Sequence, residues 1–407
     1  MATRGRRRGM RSERQPIAVV STTISRTVDQ FYREITQTFR SQGYAVHVVT
    51  TDGPEISRLR ERSDGLHVIT MARNISPLSD LRALIRWVRL LRQLRPDVVF
   101  AGTPKAGLLG MTAARITRVP RRAYFLQGLR MEGTQGRQRT VLAVMERVTS
   151  WCSHVVIAVS PSLAQRFIEL RLDAGRPVVV PHHGSSHGVD TSYYSPRPRA
   201  EHILAEAGMD VVVPVLAFIG RLTRDKGPDA LIEAIYQIRR PGHAVQLLMV
   251  GAHDEADSAV YLSKLQSSGI PMAVFGHLED VRPFLSVTDV LILPTWREGM
   301  PNVVLEAAAM GVPAITTDAT GAIDSVEDGV TGLIVPVDDS AALAAAIDRL
   351  LGNAPLRTRL GAAARARAVA DFQPGHVAAA VVQAALRQPR SEAAKSVTLT
   401  REHLRGH

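Results

Sequence analysis

Cysteine is nearly missing from this 407-residue chain: Cys152 stands alone and cannot close an internal disulfide, so no disulfide framework holds the fold. Aromatic residues are scarce at 5%, and no base-reading module accompanies the arginines, which weighs against a nucleic-acid binder. Long apolar runs are missing too. None reaches the ~18 residues that mark a membrane span, and the basic start lacks the apolar stretch of a secretory leader, so the chain is expected to be cytoplasmic.

What is present is a globular composition with a basic excess. Apolar residues make up 45% and charged residues 22%, and the length exceeds what one hydrophobic core usually supports, so two domains are expected. The net charge is +12. Residues 1–15 carry a large share of it: Arg4, Arg6, Arg7, Arg8, Arg11 and Arg14 stand against the single acid Glu13, and this stretch reads as a disordered basic tail.

From residue 17 short β-branched runs (17–20, 45–49, 67–70, 97–100, 155–159, 178–180) alternate with longer helical patterns. Strands that read as continuous apolar runs are covered on both faces, which predicts a parallel α/β sheet. A second series follows at 215–219, 245–250, 274–275, 290–293, 314–316 and 333–335. The expected architecture is therefore two tandem Rossmann-like, doubly wound domains, at 16–192 and 213–370. A linker at 193–212 joins them, a helix at 371–387 packs back on the first domain, and a tail at 388–407 is expected to be disordered. Ligands of such sheets bind beyond the carboxyl ends of the strands, so the loops after each strand face an interdomain cleft.

Two of those loops stand out. GRLTRDKG (220–227) follows a predicted strand and precedes an amphipathic helix. It is either a diphosphate site, with Arg221 and Lys226 at a helix N-terminus, or a basic turn between Gly220 and Gly227. EGMPNVVLEA (298–307) places Glu298 and Glu306 around a predicted helix start, with Asn302 as N-cap and the amides of Gly299 and Met300 turned to the cleft. An acceptor-only carboxylate suits a diol, so the pair is either a set of sugar and ribose contacts or two solvated glutamates.

Together these residues resemble the signature of family-4 retaining glycosyltransferases of the GT-B fold. The resemblance runs on through GVP (311–313), Thr320, Gly321 and DGVTG (328–332). It implies that Arg221 and Lys226 hold a donor diphosphate beside Gly220, that Glu306 holds the ribose, and that Glu298 with Gly299, Met300 and Asn302 holds the transferred sugar. Arg221, Lys226 and Glu298 are then the catalytic set. In the first half, Gly188-Val-Asp190 matches the family. The stretches 102–108 and 128–132 look like the subgroup that extends polyprenyl-diphosphate-linked sugars, with Lys105, Gln127 and Arg130 as acceptor contacts. Two departures are visible: Ser21 to Ser25 replace the expected glycine pair, and Gln127 stands where many relatives have histidine.

The implied reaction moves a sugar, uridine being the subgroup's commonest donor base, onto a lipid-linked saccharide in bacterial surface glycan assembly. No metal or other cofactor is expected, because no D-x-D is present and Arg221 and Lys226 supply the charge; His182, His183 and His187 are not read as a zinc site. The alternatives are a sugar-nucleotide 2-epimerase of the same architecture and an inactive sugar-binding partner. Arg82, Arg86 and Arg89 along one predicted helix, with Leu81, Leu84, Ile85, Val88 and Leu91 beside them, predict docking on an anionic membrane face, reinforced by Arg115, Arg118, Arg121 and Arg122.

Overall fold

The computed structural model describes residues 14–72, 76–238, 244–252, 257–387 and 397–399; the basic stretch up to residue 13 lies outside them. The first sheet contains β1 (Ile17–Ser21), β2 (Ala45–Thr50), β3 (Gly65–Val68), β4 (Val98–Gly102), β5 (Arg121–Leu126), β6 (Val155–Ala158) and β7 (Val178–Val180). They run parallel in the order β7-β6-β5-β4-β1-β2-β3. The second sheet contains β8 (Val215–Ile219), β9 (Gln246–Val250), β10 (Met272–Phe275), β11 (Val290–Leu293), β12 (Ala314–Thr317) and β13 (Gly332–Val335), ordered β10-β9-β8-β11-β12-β13. In both sheets the order reverses beside the first strand, between β1 and β4 and between β8 and β11. Those two switch points fix where a ligand crevice opens.

β5 is the strand that the apolar runs do not announce. It begins with Arg121 and Arg122, which leave only four apolar residues to signal it. Arg122 is buried all the same, its guanidinium donating to the carbonyls of Cys152 (2.6 Å) and Val119 (2.8 Å), so backbone oxygens replace water around the charge. It therefore adds nothing to a basic surface. The short helix Glu201–Glu206, inside the stretch expected to be linker, buries Leu204 in the second domain's core.

Helix Pro77–Leu94 buries Ala83, Trp87 and Leu91, one residue per turn, so of the apolar stripe expected to meet a membrane Leu91 faces the core instead. The reason is Trp87: its ring seats against Gly110, where an added Cβ would lie 3.5 Å from it. Leu84 and Val88 are partly buried, whereas Leu78, Leu81 and Ile85 stay exposed among Arg82, Arg86, Arg89 and Arg92. Among the described residues no helix is long and apolar enough to cross a membrane. Helix Pro374–Leu386 buries Val377, Val381 and Val382 in the core of the first sheet. Beyond it, Val397–Leu399 pairs antiparallel with β7, an ordered strand inside the tail expected to be disordered; residues 388–396 and 400–407 lie outside the described residues.

Candidate active site

The loop after β8 folds into the 3-10 turn Arg224–Lys226 and closes on Gly227, whose φ of +72° and contact with the Pro294 carbonyl leave no room for a side chain. Asp225 ties this turn to the loop after β11. Its carboxylate accepts from Thr223 Oγ1 (2.6 Å) and Arg297 Nη2 (2.8 Å), and its carbonyl accepts from the Trp296 amide (2.9 Å) and Thr295 Oγ1 (2.8 Å). Burial opposes the Asp225 charge, but the Thr223 hydroxyl and the positive charges of Arg297, Lys226 and Arg221 hold its pKa below the ordinary value. The two loops flanking the switch point thus form one rigid piece.

On that piece Lys226 Nζ forms an ion pair with Glu298 Oε1, both side chains being largely buried. Arg221 is exposed at the front of the same turn. The Glu298 amide donates to the Thr320 carbonyl (2.8 Å), and a Cβ on Gly321 would collide with the Glu298 and Gly299 backbone. Met300 packs into the first domain's core cluster.

Asn302 is not an N-cap. Helix Asn302–Ala309 starts one residue earlier than expected, after an extended Pro301, and the Asn302 Oδ1 instead accepts from Ser186 Oγ of the first domain (3.3 Å). Glu306 lies on the same helix, half-buried, with a hydrogen bond from the Tyr194 hydroxyl. Burial pushes its pKa up to about 7, with that hydroxyl pulling the other way.

The first domain contributes the opposite wall. Thr103, at the end of β4, has φ +64° and ψ 144°, a strained conformation for a β-branched residue. Thr23 pins it across the switch point, with hydroxyl oxygens 2.8 Å apart and the Thr23 amide donating to Thr103 Oγ1 (3.1 Å). Gln127 and Gly128 follow β5 directly. A Cβ on Gly299 would collide with the Gln127 carbonyl, so the two domains meet backbone to backbone at Gln127 and Gly299. Lys105 is buried and paired with Asp80 at 2.6 Å, while Arg130 is exposed on the turn Arg130–Gly133.

Several partners in this arrangement carry no local sequence signal. Asp324 Oδ2 accepts from the Ser162 amide (3.0 Å) and hydroxyl (2.5 Å), Gly321 donates to Ser162 Oγ (2.7 Å), and Glu132 Oε1 accepts from Thr320 Oγ1 (3.1 Å), all between domains. His187 stacks on Phe31 and hydrogen-bonds Ser186, and burial pushes its pKa down to about 4. Among the described residues no three His, Cys, Asp or Glu side chains converge to hold a metal ion.

The model for the Glycosyl transferase 4-like domain matches residues 27–183, and that for Glycosyl transferases group 1 matches residues 213–353. The capsular polysaccharide biosynthesis glycosyltransferase CapM of Staphylococcus aureus is 34% identical over 86% of this chain and 91% of its own. The UDP-Gal:alpha-D-GlcNAc-diphosphoundecaprenol alpha-1,3-galactosyltransferase of Escherichia coli is 26% identical over 70% of this chain and 74% of its own. Anabaena HepE, solved with UDP-glucose, superposes with a TM-score of 0.73 over 90% of this chain and 98% of its own, at 21% identity, which shows a shared fold. The matches are to glycosyltransferases and give the epimerase alternative no support. Lys226 and Glu298 sit within the matched group 1 segment, Gln127 within the 4-like segment, and a 34% identical relative aligns along most of the chain, so this protein belongs to the group 1 glycosyltransferases and has the GT-B fold.

Proposed function

We propose that the protein transfers a sugar from a UDP-linked donor, with retention, to a saccharide carried on polyprenyl diphosphate, working at the cytoplasmic face of a membrane without a metal. The observation that carries the donor half is the Lys226–Glu298 ion pair on the loops flanking the second switch point. A donor diphosphate arriving at Lys226 and Arg221 competes for the ammonium and releases Glu298 toward the sugar hydroxyls. Negative charge grows on the leaving oxygen as the sugar–oxygen bond breaks, and Lys226 and Arg221 stabilise it where it appears. The acceptor oxygen attacks from the same face, and its proton passes to the departing phosphate. Closure at Gly299 and Gln127 excludes water and favours transfer over hydrolysis.

For the acceptor half, the support is that the matched Escherichia coli enzyme acts, by its name, on a diphosphoundecaprenol-linked sugar. The test is a transfer assay with a panel of UDP-sugars against polyprenyl-diphosphate-linked and free saccharides. Transfer confined to the lipid-linked series is expected. Transfer to free saccharides alone, or donor conversion without any acceptor, overturns the reading.

Two further results follow from it. Glu306 should hold the ribose as a carboxylate, yet the free protein keeps it protonated below about pH 7. A raised pKa favours the protonated form, so UDP binding has to expel a proton, and affinity should fall about tenfold between pH 8 and pH 6. In Glu306→Gln titration calorimetry should show weaker binding with a smaller pH dependence, only that of the UDP terminal phosphate remaining. On the surface, exposed Leu78, Leu81 and Ile85 beside Arg82, Arg86, Arg89 and Arg92 fit an anionic bilayer, each cation contributing about 1 kcal/mol. Sedimentation with anionic vesicles should show binding at low salt. High salt, or changing Arg82, Arg86 and Arg89 together to glutamine, should abolish it.

A further inference from the structure

Tyr32 lies in the core of the first domain, between two short helices and fully buried, with its ring edge-on to Phe100 and Phe125 at 5.7 Å. Its hydroxyl has no hydrogen-bond partner among the described residues. A buried, unsatisfied hydroxyl is destabilising, and phenylalanine would supply the same packing without it. The position of that hydroxyl is therefore informative. It stands over Gly102, the last residue of β4, where an added Cβ would collide with it; Gln127 Oε1 lies 3.3 Å from the same point. The absence of a side chain at Gly102 thus lets the Tyr32 hydroxyl and the Gln127 carboxamide oxygen approach one another at the cleft end of the sheet.

We propose that Tyr32 is a positioning residue for Gln127: when the acceptor seats, its hydroxyl donates to Gln127 Oε1 and fixes the carboxamide with its NH2 group directed at the acceptor. The chemistry sets the direction. A phenol can give one hydrogen bond, and Oε1 is the Gln127 atom nearest the space over Gly102 that the Tyr32 hydroxyl occupies, so closing this contact leaves Gln127 as a pure donor on the cleft side. A donor there recognises a sugar hydroxyl or phosphate oxygen. The Gln127 backbone meanwhile is held by its contact with Gly299, so only the side chain needs a second anchor. The inference rests on the acceptor reading above.

The test is a double-mutant cycle on the full chain with Tyr32→Phe and Gln127→Ala, measuring transfer to a polyprenyl-diphosphate-linked saccharide at saturating UDP-sugar, with UDP affinity and Tm alongside. Tyr32→Phe should lower kcat/KM for the acceptor about tenfold, the worth of one hydrogen bond, while UDP affinity stays unchanged and Tm stays equal or rises. In the Gln127→Ala background the same change should have no further effect. Losses that multiply in the double variant overturn the proposal, as does a Tyr32→Phe protein with wild-type acceptor kinetics or a lowered Tm. A wild type that transfers to no acceptor overturns the function reading and this inference with it, whereas an active wild type with multiplying losses overturns the inference alone.

Discussion

Gly299→Ala is expected to yield a folded protein that binds UDP normally and turns over at least about a hundredfold more slowly. The added Cβ would meet the Gln127 carbonyl, and backbone cannot rotate out of the way as a side chain can. The collision lies between loop backbones at the domain contact, so it is relieved by shifting the domains apart there, at the cost of some of the Met300 packing against the first domain's core, rather than by unfolding either one. A shift on the order of 1 Å in the placement of reacting groups is enough for a hundredfold loss. The checks are thermal melting, UDP calorimetry and kcat on the same preparation. A variant with wild-type turnover would mean that catalysis does not pass through the closed contact.

Lys226→Ala should lower kcat by about 100- to 1000-fold, because in the proposed mechanism its ammonium faces charge that develops only as the leaving group departs. Glu298 separates this role from simple donor binding. In the free protein the Glu298 carboxylate occupies Lys226, so Glu298→Gln removes a competitor of the diphosphate. That variant should bind UDP as tightly as the wild type or tighter and still turn over slowly, since the sugar loses its carboxylate. Steady-state kinetics paired with calorimetry distinguish the two variants: affinity falls in Lys226→Ala and holds in Glu298→Gln.

Much of this was readable in the chain itself, for physical reasons that also explain the omissions. A strand buried on both faces needs apolar residues throughout, so twelve of the thirteen strands β1 to β13 announce themselves as apolar runs, and the loops after β8 and β11 follow from them. β5 gives no such signal because Arg121 and Arg122 occupy its start, and only the fold shows that backbone carbonyls receive the Arg122 charge. Glu298 and Glu306 stand out by their place around a helix start. Asn302 has the chemistry of a cap, but Ser186 on the other domain competes for its oxygen. Tyr194, Asp225, Asp324 and Tyr32 belong to the site through contacts between segments far apart in sequence, which no local pattern encodes. The strain at Thr103 is likewise a property of the assembled sheet, held by Thr23 from eighty residues away.

The central claim is that one diphosphate site spans the loops after β8 and β11, and a structure of the protein with UDP bound tests it most directly. The account predicts diphosphate oxygens within hydrogen-bond distance of Lys226 Nζ and the Arg221 guanidinium, the ribose hydroxyls on Glu306 in place of Tyr194, and the Lys226–Glu298 pair opened. UDP seated elsewhere, or seated with that ion pair intact and Glu306 still bonded to Tyr194, would contradict it.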